Sequence, residues 1–221
     1  RSVSNPLMGA IESASVSNTV SVYNGSTLLA SYINLKFAFD AINAGTHTGT
    51  ITVKLTANET LPNSAVLNES GVGAANFSNV TIYPTVDGIK ITGNMTTPLI
   101  YLNGADNVTI DGRVNGQGNT KSLEISNKSI APDKGNSTIK IENDASNFTL
   151  QYCTLKGSTT STNDGIFTMG NTTITGNDQI IIANNDFTIA AVPSGELSSI
   201  IKTWYCWPKP ITAPIILWIF S

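Results

Sequence analysis

The stretch YLNGADNVTIDGR, Tyr101–Arg113, is written a second time as KIENDASNFTLQYCTL, Lys140–Leu155. Each copy runs from a short apolar strand through an Asn-rich corner into Asn-apolar-Thr-apolar. Tyr101, Leu102 and Asn103 align with Lys140, Ile141 and Glu142. The corner then differs by one residue, and Asn107-Val108-Thr109-Ile110 meets Asn147-Phe148-Thr149-Leu150. A looser third copy is Thr173-Ile174-Thr175-Gly176-Asn177-Asp178-Gln179-Ile180-Ile181-Ile182. The copies recur irregularly, about 30–40 residues apart, and a repeated strand–corner–strand unit is the signature of a solenoid. Asn suits such corners because it tolerates the left-handed backbone region and hydrogen-bonds neighbouring turns.

Outward from the repeat, the texture from Gly45 onward is the same. Short runs recur at 50–55, 79–83, 89–92, 99–102, 107–111, 122–125, 138–141, 148–155, 166–169, 172–175, 179–182 and 187–189. They are rich in Ile, Val, Thr and Leu, many alternate, and Gly, Asn, Asp and Ser separate them. No helical pattern falls between them, which excludes βαβ crossovers. The spacing predicts one helix, over about 28–44, whose broad apolar face includes Tyr32, Ile33, Leu35, Phe39 and Ile42 and which ends at Gly45. Such a helix suits the open end of a solenoid, which exposes unpaired backbone and apolar stack. Residues 1–24 read as an extended lead-in and 25–202 as the β-helix domain.

Composition limits the function. The 221 residues are enough for one sizeable core. Charged residues are 12 % of the chain and the net charge is −3, so polarity comes from Asn, Ser and Thr, about a third of all residues. This excludes an electrostatic footprint for nucleic acid and a polybasic membrane patch. The two cysteines, Cys153 and Cys206, are too few for a disulfide framework, and Cys153 reads as a small buried hydrophobe. The sequence starts at Arg1 with no basic-then-apolar leader, as expected if a signal peptide has been removed or a longer protein precedes it.

Two groups of residues carry a family resemblance. FAFDAINAGTHTGTITVKL, Phe37–Leu55, resembles the capping helix and first strand of a right-handed parallel β-helix of the pectin-lyase-like kind. NGADNVTIDG, IKIENDASNFTLQYCTLKGS and NDQIIIANNDF are similar to the β-helix repeats of large secreted bacterial surface proteins. The resemblance spans roughly residues 25–190 and implies an all-β, single-stranded right-handed parallel β-helix. It further implies secretion or cell-surface display and an adhesive or carbohydrate-linked role within a long chain. The fold hosts many functions, so architecture does not choose among them.

Candidate chemistry is sparse. Asp106, Asp111 and Arg113 fall within one coil, with Lys140, Glu142 and Asp144 about one or two coils along. In the β-helix polysaccharide lyases that the chain resembles, carboxylates bind Ca²⁺ against the substrate's uronate and a Lys or Arg abstracts the proton. Calcium needs six to eight oxygen ligands. Against this, Asp106 and Asp111 equally read as turn residues that end strands. Asn163-Asp164-Gly165-Ile166 is similar in part to an element of β-helix polygalacturonases, but Asp164 lacks the second carboxylate that inverting hydrolysis requires. His47, the sole histidine, has no Cys or second His near it in sequence for a triad or metal site. Tyr101, Thr109 and Tyr152 are candidates for contact with sugar. A flat row of Thr81, Thr109, Thr138 and Thr149 would suit ice, although no regular Thr-x-Thr recurs in every coil. Eleven Asn-x-Ser/Thr sequons occur, and most follow from the repeat's own Asn-apolar-Thr. The expectation is a structural or adhesion module without its own catalysis and without a cofactor. The alternatives are a pectate-lyase-like lyase or hydrolase, with Ca²⁺, and an ice-binding solenoid.

The end departs from this texture. TWYCWPKPITAPIILWIFS, Thr203–Ser221, holds all three tryptophans and three of the nine prolines, and no Asn. Its apolar run of about ten residues, broken by Pro214, is too short to span a membrane. Residues 203–221 read as an atypical tail, a frameshifted or truncated end suited to self-association.

Overall fold

The computed structural model describes residues 17–131, 135–158, 164–170, 176–190, 201–203 and 216–217. Val20–Asn24 (β1) and Thr27–Tyr32 (β2) form an antiparallel hairpin, followed by the helix Leu35–Asn43 (α1). The chain then winds through three sheets in turn. Gly49–Leu55 (β3), Glu59–Thr60 (β4) and Ala65–Asn68 (β5) make the first coil; Phe77–Pro84 (β6), Ile89–Gly93 (β7) and Ile100–Asn103 (β8) the second. Val108–Asp111 (β9), Leu123–Asn127 (β10) and Ile139–Glu142 (β11) form the third; Thr149–Gln151 (β12), Cys153–Gly157 (β13) and Phe167–Met169 (β14) the fourth. Ile181–Ala183 (β15), Asp186–Ile189 (β16) and Ile201–Thr203 (β17) follow, and Ile216–Leu217 (β18) returns to the first sheet. Every coil strand pairs in parallel with its counterpart one coil away, so the architecture is a parallel β-solenoid.

The repeat alignment is the stacking register. Tyr101, Leu102 and Asn103 pair with Lys140, Ile141 and Glu142, and Thr109 and Ile110 with Thr149 and Leu150. The third copy follows, with Ile181 on Thr149 and Ile182 on Leu150. Asn107, Asn147 and Gln179 all turn the corner at φ between 53° and 57°. Inward positions form apolar columns, such as Val53–Ile82–Ile110–Leu150–Ile182 in the first sheet, every member buried. Cys153 sits in the column of Ile89 and Leu123 and is fully buried, as a small hydrophobe would be.

The N-terminal end differs from the sequence reading. The helix begins at Leu35 rather than near 28, because Val22 and Val20 pair with Ala30 and Tyr32 and draw residues 27–32 into a strand. Asn34 then starts the helix, its side chain accepting from the Phe37 amide at 3.2 Å. Nor is the end of the lead-in free: Val20 and Val22 are wholly buried, and β1 pairs antiparallel with β3. Leu35, Ala38, Phe39 and Ile42 of α1 are buried. The hairpin and helix therefore cap the first coil. The run expected over 148–155 is broken at Tyr152, which takes φ 52° and turns the chain between two sheets. The ladder also enters the tail, since Ile216 and Leu217 pair with Ile181 and Ile182. The first 16 residues, the expected run at 172–175, Cys206, the three tryptophans and most of the tail lie outside the described residues.

Candidate functional site

The residues singled out in sequence fall at four places. Asp111, Arg113 and Tyr152 come together where β9 and β12 leave the first sheet. The Arg113 guanidinium grips Asp111 with Nε at 2.9 Å from Oδ1 and an Nη at 2.6 Å from Oδ2. The Arg113 amide adds a bond to Oδ1 at 3.0 Å, and Gln151 donates to Oδ2 at 2.8 Å. Burial raises the Asp111 carboxyl's pKa, yet the bonds and charge of Arg113 together with Gln151 outweigh it and hold the group below the usual range. The guanidinium carbon stands 4.5 Å from the Tyr152 ring centroid. Gly112 permits this packing, since a Cβ there would lie 1.9 Å from the Tyr152 carbonyl oxygen. Arg113 thus spends its donors and its ring stack on neighbours and acts as a clamp between coils. A proton-abstracting base needs a free face instead. Gln151 was missed, although extending the repeat by one residue sets Asp111 against Gln151.

Asp106 lies before β9, on the far side of the Asn107 corner, so the length of the strand, roughly 10 Å, separates it from Asp111. Its Oδ1 accepts from the Ser146 amide at 2.7 Å and the Ser146 hydroxyl at 2.8 Å, which is the turn role. Asp164 is buried near the Ser137 hydroxyl, 3.4 Å from its Oδ1, and its neighbour Asn163 lies outside the described residues. Among the described residues no group of three His, Cys, Asp or Glu side chains converges in a way that would hold a metal. Asp106 and Asp111 therefore do not share a site.

Tyr101 projects from the third sheet. Its hydroxyl bonds Glu142, and Lys140 pairs with the same carboxylate at 2.7 Å. Burial, then the bond and charge of Glu142, push the Tyr101 hydroxyl's pKa up. Asn68, Asn103 and Asn143 make an amide ladder beside them, at 3.0 and 2.6 Å. His47 is buried against Tyr32, whose hydroxyl is 2.6 Å from Nε2, and burial lowers its pKa.

Thr109 belongs to the most regular surface. On the outer face of the first sheet, Thr52, Thr81, Thr109 and Thr149 stack in register, and Ile181 and Ile216 follow at the same register position. Beside it Asn147 donates to Asn107 at 3.1 Å. Thr138, expected in this row, is instead wholly buried and donates to the Lys156 carbonyl at 2.6 Å; Thr52 takes its place. The sequons follow the same logic. Asn127 and Asn136 are buried with their amide nitrogens donating to backbone carbonyls, which leaves no acceptor for a glycan.

Among the described residues, no helix is long and apolar enough to cross a membrane. No protein-family model matches this chain, and searches of curated proteins and of solved structures likewise give no match.

Proposed function

We propose that the chain is a structural module of a secreted or cell-surface protein, a rigid solenoid stalk that touches polysaccharide through one strand face and has no catalysis of its own. The observation that carries this reading is the in-register column of Thr52, Thr81, Thr109 and Thr149 beside the Asn107–Asn147 ladder. Coils repeat at about 4.8 Å, so the face offers evenly spaced neutral hydroxyls and amides, suited to the hydroxyls of a neutral glycan. The resemblance to pectin-lyase-like repeats of bacterial surface proteins supports secretion and an adhesive setting. The closed Asp111–Arg113–Gln151 cluster favours a scaffold over a lyase.

A polysaccharide array, run with calcium and again with a chelator, tests this. The expected result is binding to neutral polymers that survives the chelator and drops at least tenfold in a Thr81→Val, Thr109→Val double variant of unchanged stability. Binding that requires calcium and selects uronate polymers overturns the reading and returns Asp106, Asp111 and Arg113 to a lyase site. The Thr column favours a second reading, ice binding, which thermal hysteresis in the wild type but not in the same double variant would establish.

A further inference from the structure

The inward column of the second sheet runs Glu59, Ile91, Ile125, Leu155, Phe187 from the first coil onward. Only the coil beneath the cap places a carboxyl there. Glu59 is buried, with Oε2 accepting from the Leu35 amide, at the start of α1, at 3.0 Å. The Thr19 hydroxyl, just before β1, lies 3.1 Å from the same oxygen. That hydroxyl also donates to the Ile33 carbonyl at 2.8 Å. A threonine has one hydroxyl proton. With it on Ile33, the Thr19 and Glu59 oxygens face each other with no hydrogen between them unless Glu59 supplies it. Oε1 is buried with no hydrogen-bond partner among the described residues, a poor setting for a full charge.

We propose that Glu59 is an acid lock: as a neutral carboxylic acid it donates to Thr19 and accepts from Leu35, pinning the hairpin and helix to the first coil, and its ionisation releases them.

The surroundings agree. Burial raises the carboxyl's pKa to about 7, against smaller opposing effects of Thr19 and Leu35. The charged groups on the packed elements are engaged elsewhere or face solvent. Lys36 pairs with Asp40 on α1, Lys54 of β3 lies over the Tyr23 ring, and Lys90 is exposed on the outer face of β7. Tyr32 and His47 bond each other. A folded-state pKa above the unfolded value means that stability is fully present below about 4.5 and is lost as pH rises through about 7. His47 has the opposite sign, because its lowered pKa makes rising pH favour the fold, so it cannot imitate this loss. Release uncovers the edge of β3, open to pairing with another strand.

Hydrogen exchange at pH 5 and pH 8, corrected for the intrinsic rates, tests the lock. Protection of amides in 19–43 should fall on the order of 50-fold in the wild type and stay level in Glu59→Gln, while the inner coils hold theirs. An equal fall in Glu59→Gln overturns the proposal. Should that variant not fold, a carbon-13 titration of the wild-type Glu59 carboxyl decides: a midpoint near 7 supports the lock, and one in the ordinary carboxylate range overturns it.

Discussion

The corner at Gly104–Asn107 and the cap at 20–44 do related work by opposite means. The corner is copied. Its left-handed turn residue recurs as Asn147 and Gln179, and each backbone amide bonds the coil beyond: Asn107 to the Ser146 carbonyl at 3.0 Å, Asn147 to that of Asp178 at 3.0 Å. The cap is assembled once. It reverses strand direction, adds the helix, and is joined to the coil through Asn43 and Glu59. A copied element is held by many equal nearest-neighbour bonds, whereas a unique one depends on a few particular groups.

The largest effects should separate the two. Phe39→Ala in the cap and Phe148→Ala in the coils each remove a wholly buried ring, and each should cost about 3–5 kcal/mol in denaturant unfolding. Phe148 also stacks on Phe167, with ring centroids 6.1 Å apart. Hydrogen exchange should show the Phe39 variant losing protection in 19–43 alone and the Phe148 variant losing it in the coils on either side. Loss of protection throughout in both would mean that cap and coils unfold as one unit.

Next in size is Gly112→Ala. Its Cβ would meet the Tyr152 carbonyl at 1.9 Å, so backbone must move, at about 1–3 kcal/mol. Gly25→Ala at the hairpin turn meets nothing within 4 Å but holds φ at 57°, and should cost about 1 kcal/mol. Thermal unfolding of the pair tells steric from conformational cost, since Gly112 does not hold a left-handed angle; equal losses would show that the backbone around Gly112 and Tyr152 yields cheaply.

The smallest contrast sets Asn34→Ala against Asn147→Gly. The first removes the helix cap and should cost about 1 kcal/mol. The second removes one rung of an exposed ladder while keeping the left-handed corner at φ 53° unstrained, and should cost about 0.5 kcal/mol. A larger loss at Asn147 would show that the ladder, rather than the apolar columns, fixes the register.

The coils were legible because repetition is visible in the chain, whereas the register between coils was not: the structure sets Tyr101 against Lys140 and Thr109 against Thr149, and the alignment columns prove to be paired neighbours. The candidate site was legible only in part. Asp111 and Arg113 are two residues apart and were bound to meet. Their other partners, Gln151 and Tyr152, come from a neighbouring coil. Asp106 looked like a third member, yet a strand points its two ends apart. Thr138 matched its row by type and not by register.

Residue pattern alone determined the all-β class and the repetition of a strand–corner–strand unit, because side-chain alternation and left-handed Asn corners are local properties. Only the tertiary structure decided that residues 27–32 form a strand, since the pairing of Val20 and Val22 with Tyr32 and Ala30 outweighs a helical apolar pattern. It alone placed a buried carboxyl at Glu59 under the cap, because what faces a side chain across coils is set by packing and not by its neighbours in the chain.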